Sequence, residues 1–303
     1  MPFDSTDIRS TLTAARLAAP PAQAAAADYL RFHDTAPTVL DGARRWRGRS
    51  QNLVIDVVDI DDAGTVLSYP GGPDETGVIL TEARTSMRVH VADGAHEIGG
   101  ETVTFVPPGR VEIEFTAPGR VVVISTTRAP GLADGAMNAA AYVIDHANVA
   151  PIVPWPDPVG GFQVRTYDLT VPTLGNPPFR IFRCASFMVN YIAAQKGPRD
   201  PARMSPHDHA DFEQLSLVLH GEYIHHLRWP WTTDLTEWRD DEHVHVAAPS
   251  LTVIPPPTVH TSQSLGEGFN QLIDIFGPPR RDFSLQEGWV LNAVDYPMPE
   301  IGD

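Results

Sequence analysis

The sequence predicts an all-β protein of two similar halves, each a sandwich or jelly roll of short strands, and three observations carry that prediction. From about residue 50 the chain runs in short β-type segments divided by Gly, Pro and Asp, among them "NLVIDVVDI", "SMRVHVA", "RVEIEF" and "RVVVIST". Twenty-nine prolines and twenty-three glycines in 303 residues supply turns at the density that short strands need. A second series, including "FRIFRCASFMVNYIAA", "QLSLVLHGEYIHHLRW", "HVHVAAPSLTVIPPP" and "FNQLIDIF", repeats the pattern later in the chain with no helical stretch between strands.

Taken in order, residues 1–49 read as an N-terminal helical segment. "STDIRSTLTAARLA" opens on cap-type residues, and "PAQAAAADYLRFH" places proline in a first turn ahead of strong helix formers. Residues 50–148 form the first β-rich half, the Pro-rich "ANVAPIVPWPDPVGG" around 149–161 is a linker, and 162–295 form the second half. The halves also resemble each other locally. Thr102 to Glu112, "TVTFVPPGRVE", aligns without gaps on Ser250 to His260, "SLTVIPPPTVH". Both are a β run, a Pro-Pro turn and a returning strand, which suggests a duplicated domain. The returning strand carries Glu112 in one copy and His260 in the other, so the copies differ where chemistry would sit.

Composition narrows the function. A 42% hydrophobic, 20% charged chain is globular, and a formal charge of −16 argues against nucleic acid or an anionic membrane as partner. The one basic run, "GARRWRGR" (Gly42 to Arg49), reads as a solvated surface or a clamp between elements rather than a phosphate site. Cys184 is the only cysteine, which excludes an intrachain disulfide. The N-terminus lacks a basic start with a continuous apolar core, and its Ala-rich stretch is too short to span a bilayer. A cytoplasmic protein is expected.

The chemistry-bearing stretch is "PHDHADFEQLSLVLHGE", Pro206 to Glu222. Residues two apart on a strand share a face, so His207 and His209 project together and form half a metal site. Glu213, Gln214, the glycine Gly221 and, beyond a proline turn, His260 complete the set.

His-x-His, a short spacer, an acidic or amide ligand, about six residues and a glycine resembles the first motif of the cupin superfamily. "PPPTVH" resembles its second, Pro-x-Gly-x-x-His, with Pro257 in place of glycine. Ser264 stands where an asparagine is sometimes found four residues after the second-motif histidine, and neither departure removes a ligand. The resemblance covers about residues 50–290. It implies two tandem cupin (double-stranded β-helix, jelly-roll) barrels, with a short N-terminal helical segment ahead of them. It also implies one divalent transition metal ion (zinc, nickel, iron or manganese) in the C-terminal barrel, held by His207, His209, Gln214 and His260. Between Glu213 and Gln214 the strand into Gly221 decides, because a strand cannot slip one residue without exchanging its faces; this favours Gln214, with Glu213 as the alternative. Some cupins that open or rearrange uronate-type sugars are similar at this position.

The first barrel matches with Ser68 and Pro70 in place of the histidine pair and with Glu75 opposite Gln214, so it is expected to be metal-free. His225 and His226 follow Gly221 on a cavity-lining strand. One of them should point inward, either as a proton-moving group or as a core histidine. His243 and His245 read as strand-face residues, and Trp229 and Trp231 as core or interface. Of Asn270, Gln271 and Asp274, those facing inward could touch substrate. The expected function is a metal-dependent enzyme acting by Lewis-acid chemistry on a keto acid, sugar acid or related carboxylate, as isomerase, lyase or hydratase. The alternatives are an iron dioxygenase of phenols or diketones and a non-catalytic small-molecule binder. A homodimer is expected.

Overall fold

The computed structural model describes residues 23–92, 94–172 and 179–300. The first half contributes β1 (Asp28–Leu30), β2 (Thr38–Leu40), β3 (Ala43–Arg49), β4 (Leu53–Ile60), β5 (Val66–Gly72), β6 (Thr76–Leu80), β7 (Ser86–Val91), β8 (Gly94–Ile98), β9 (Thr102–Val106), β10 (Gly109–Ala117) and β11 (Gly119–Thr126). The second contributes β12 (Arg165–Asp168), β13 (Phe179–Arg183), β14 (Met188–Ile192), β15 (Gln195–Lys196), β16 (Gln214–His220), β17 (Glu222–Arg228), β18 (Glu242–Ala247), β19 (Ser250–Ile254), β20 (Val259–Ser264) and β21 (Phe269–Phe276). A single turn of α-helix, α1 (Arg281–Ser284), follows.

Each half is a jelly roll of one large and one small antiparallel sheet. The large sheets run β12-β9-β6-β11-β4-β3-β2 and β1-β19-β16-β21-β14-β13, and the small ones β5-β10-β7-β8 and β18-β17-β20. The expected duplication is visible in this order, since β9-β6-β11-β4-β3 has its counterpart in β19-β16-β21-β14-β13. The edge strands cross over. β1 pairs with β19 of the second half, and β12 pairs with β9 of the first.

That exchange corrects the N-terminal helical reading as far as residue 23 onward is concerned. Asp28–Leu30 is a strand, Phe32–Asp34 one 3-10 turn, and Ala43–Arg49 a strand hydrogen-bonded to β4, so a boundary at 49/50 cuts a hairpin. Helix propensity gave way to the edge of a sheet, which offers a row of backbone partners that an isolated short helix lacks. The first proposed helix, residues 5–18, lies outside the described residues. The basic run proves to be a clamp: Arg47 makes a buried two-pronged ion pair with Asp56 at 2.6 and 2.7 Å, and Arg44 binds Asp61.

Strand alternation then sets where the core lies. On the large sheets, Leu53, Ile55, Ile79, Val122 and Ile124 of the first half face Val189, Leu215, Leu217, Leu251 and Ile273 of the second in one shared apolar layer. Each such side chain contributes about 1.5–3 kcal/mol on burial, against about 0.5–1.5 kcal/mol for a hydrogen bond. The layer therefore holds the halves together. The opposite faces differ. Val54, Val58, Val78, Leu80, Val121 and Val123 fill the first jelly roll from its large sheet, against Met87, Val89, Ile113 and Phe115 of its small sheet. The matching positions in the second include Asn190, Gln214, Ser216, Thr252 and Asp274. One jelly roll is packed and the other is lined with polar groups around a cavity of about 550 Å³.

Candidate metal centre

Two distant segments meet at the base of this cavity. His207 and His260 exchange backbone hydrogen bonds, His207 N to His260 O at 3.1 Å and His260 N to His207 O at 2.8 Å. The first half has the same pairing at Glu112 and Ser68, so those residues do stand where the histidines would be. The ring centroids of His207 and His260 are 4.5 Å apart, and His209 lies 5.1 Å from each. One nitrogen from each of the three rings lies within 4.8 Å of the others.

Gln214 completes the cluster. Its Oε1 is 2.9 Å from His209 Nε2 and 3.1 Å from His260 Nε2. The amide nitrogen donates to Ser216 Oγ and to Asp274 Oδ1, both at 3.0 Å, and the Ser216 hydroxyl donates to the same carboxylate oxygen at 2.7 Å. An ionised carboxylate only accepts, so the nitrogen end of the amide is fixed toward Asp274 and the oxygen end toward the imidazoles.

The neighbouring Glu213 faces the other way, into the first half. It accepts from Gln51 N at 2.7 Å and from the Tyr142 hydroxyl at 3.0 Å. Glu75 does the mirror task, accepting from Ala185 N at 3.1 Å and the Tyr296 hydroxyl at 2.7 Å. Glu75 is thus the counterpart of Glu213 and not of Gln214, which corrects the sequence matching by one residue. The reason is parity. Thr76 and Gln214 open equivalent strands with side chains inward, and the residue before each points outward.

The donor set fits a divalent cation. Burial pushes His209 down to about 3 and His260 down to about 4, so both rings are neutral at pH 7. His260 Nδ1 faces the Thr258 carbonyl at 2.9 Å and must carry the proton there, which leaves a lone pair on Nε2 facing the lone pairs of Gln214 Oε1. Two acceptors in contact are repulsive unless a cation stands between them. His207 Nδ1 is similarly turned to the Ser205 carbonyl at 3.0 Å, freeing its Nε2. Gly221 earns its place in the motif through its neighbour: it has φ +82°, and a Cβ there would lie 2.1 Å from Asn270 Oδ1.

Of the proposed proton-moving pair, His225 faces inward and His226 outward. His225 is fully buried, with Nδ1 2.8 Å from Ser262 Oγ and no partner for Nε2; Ser262, not His225, lines the cavity. His226 pairs with His243 across the outer face of β17 and β18, Nδ1 to Nδ1 at 2.8 Å, so the cavity role expected of it is corrected by strand alternation. His245 pairs with Glu222 outside. Trp229 is buried, while Trp231 is exposed and stacked on Trp238. Asn270 ties the Gly197 and Gly266 loops, and Asp274 faces the cavity with its carboxyl raised by burial to about 6.

Sequence reasoning missed Asn190, Arg199 and Arg280, which also line the cavity. Arg199 is held by the Ser262 and Arg203 carbonyls and Ser205 Oγ, with no carboxylate partner among the described residues. Asn190 is buried and its Oδ1 has no partner. For Asn190 the available signal was a polar residue inside an apolar run, "FMVNYI".

No protein-family model matches the sequence, and no curated protein matches it. Among solved structures, the chain is similar to a Lactobacillus farciminis oxalate decarboxylase in complex with formate, at 12% identity and TM-score 0.57 over 83% of this chain and 86% of that one. It is also similar to AerE from Microcystis aeruginosa, at 9% identity and TM-score 0.52 over 80% of this chain and 97% of that one. A third neighbour is the Momordica charantia 7S globulin, at 13% identity and TM-score 0.50 over 82% and 83% of the two chains. These neighbours are cupin-fold proteins, and at such identities what this chain shares with them is the cupin jelly-roll fold.

Proposed function

We propose that the second jelly roll is the active site of a metal-dependent enzyme that acts on a small carboxylate. His207, His209, His260 and Gln214 would hold one divalent transition metal ion. The observation that carries this reading is the contact of Gln214 Oε1 with His260 Nε2 at 3.1 Å, two acceptors aimed at one point. With four neutral ligands, such an ion supplies Lewis acidity undiminished by ligand charge, suited to polarising a carbonyl. Imidazole and amide oxygen suit zinc, nickel, iron or manganese alike.

The substrate class follows from the cavity wall. At about 550 Å³ it suits a small molecule. Arg199 offers a guanidinium held, among the described residues, by neutral acceptors only, in a protein of net charge −16, and so favours an anionic substrate such as a keto acid or sugar acid. Asn190 adds an amide whose oxygen lacks a partner. Asp274 and the Ser262 hydroxyl, backed by His225, are the groups on this chain placed to hold or pass a proton. Isomerase, lyase or hydratase chemistry needs no more than this set.

Elemental analysis of protein purified without added metal, with an oxygen-uptake assay on catechols, gentisate-like acids and diketones, tests the reading. We expect close to one transition metal per chain, its loss in His260→Ala, and no oxygen uptake. Iron with uptake would favour the dioxygenase, metal without turnover of any carboxylate a binding protein. Full activity after metal stripping would remove the metal enzyme altogether.

A further inference from the structure

Among the described residues the packed first jelly roll carries no cluster of metal-ligating side chains, yet it grips the segment that does. Between His209 and Gln214 lie four residues, Ala210 to Glu213, which must deliver two ligands to one point. That short span is anchored twice, once from the linker and once from the first half. Ala150 N donates to the Asp211 carbonyl at 2.7 Å, and the Glu213 carboxylate takes Gln51 N and the Tyr142 hydroxyl. Gln51 is itself tied to the segment after Tyr142, its Oε1 accepting from His146 N at 2.6 Å and its Nε2 donating to the Val149 carbonyl at 3.3 Å. Glu213 and Tyr142 are both buried, and Arg49 lies over the Tyr142 ring at 4.8 Å.

Alternation makes this grip matter at the metal site. Side chains of consecutive strand residues point to opposite faces, so fixing Glu213 outward fixes Gln214 inward. A ligand displaced by a fraction of an ångström loses much of its affinity for a small cation. We infer that Glu213, held by Tyr142 and the Gln51 backbone, is a positioning residue through which the metal-free jelly roll sets the ligand geometry of the other. The inference rests on the metal reading given above.

The molecule supplies its own control. Glu75, Tyr296 and Ala185 make the corresponding clasp in the opposite direction, without the His146 ring that lies 3.6 Å from Glu213, at a strand whose first inward residue is Thr76 and which carries none of the candidate ligands. Glu213→Gln and Tyr142→Phe should therefore be compared with Glu75→Gln and Tyr296→Phe. Cobalt(II) serves as probe, because its visible absorption reports the ligand set as well as the affinity. All four variants are expected to lower the melting temperature. Only the Glu213 and Tyr142 variants should weaken cobalt binding, by about tenfold or more as for other residues that orient metal ligands, and change its spectrum. The Glu75 and Tyr296 variants should bind within about twofold of the parent protein.

Equal weakening in all four would show that the clasp serves stability alone and would overturn the inference. So would unchanged binding in Glu213→Gln and Tyr142→Phe, and the phenol-to-phenyl change keeps that test available if the carboxylate variant does not fold. Failure of the parent protein to bind cobalt at unit stoichiometry would be a different result, ending the metal reading and leaving nothing for Glu213 to position.

Discussion

Gln214 and Asp274 sit on neighbouring strands, β16 and β21, and the amide nitrogen of the first donates to Oδ1 of the second at 3.0 Å. That bond turns an ambiguous amide into an oriented one, with its oxygen toward His209 and His260. A neutral amide is held in one orientation because an anion behind it takes one end.

Removal of that anion should therefore loosen the metal without removing a ligand. Asp274→Ala is expected to weaken zinc binding by about 10–100-fold, the range for residues that orient metal ligands. A competition titration against a chromophoric chelator would read it. Zinc affinity equal to that of the parent would show that the amide orients itself.

The two faces of one strand should respond differently to truncation. Gln214→Ala takes away a candidate ligand, whereas Glu213→Ala takes away only what steadies it. Metal content after gel filtration should fall further in Gln214→Ala. The reverse order would mean that the carboxylate of Glu213 reaches the ion.

Asn190 offers a test of what the cavity is for. Its Oδ1 is buried without a partner, a cost that a packed core would not carry. Asn190→Leu should raise stability by about 0.5–2 kcal/mol, as cavity filling commonly does, while lowering substrate turnover. A melting curve and an assay on the same preparation measure both, and loss of stability would assign Asn190 to the fold.

The pH dependence of the inter-barrel clasp has a definite sign. Burial raises the Glu75 carboxyl above its ordinary range, with Tyr296 and the Ala185 amide opposing. The folded state thus holds this proton more tightly than the unfolded chain. Its contribution to stability is greatest in acid and is lost as pH rises through the folded value. The stability of the parent relative to Glu75→Gln should accordingly fall as pH rises above about 4, the ordinary glutamate range. Urea midpoints across that window check it, and a flat or rising difference would show that the two hydrogen bonds outweigh burial.

Much of the site could be read from the chain because strand chemistry is periodic. The spacing of His207, His209, Gln214 and Gly221 and the Pro-Pro turn before His260 report a local geometry that any strand must obey. The same periodicity puts Asp274 inside, and with it Asn190 and Ser216, the lone polar residues of their apolar runs. Arg199 carries no such signal. It lies in a turn-rich stretch, and its position comes from carbonyls at Arg203 and Ser262 that the fold brings to it.

By itself the sequence determined that this is an all-β protein with a repeated unit and one histidine-bearing half, because alternation, turn residues and motif spacing are local properties. Only the tertiary structure decided that β1 and β12 exchange halves, that Glu75 answers Glu213, and that one jelly roll is filled while the other is hollow. Those outcomes depend on which faces meet, and a strand with two buried faces looks the same in sequence whichever neighbour buries it.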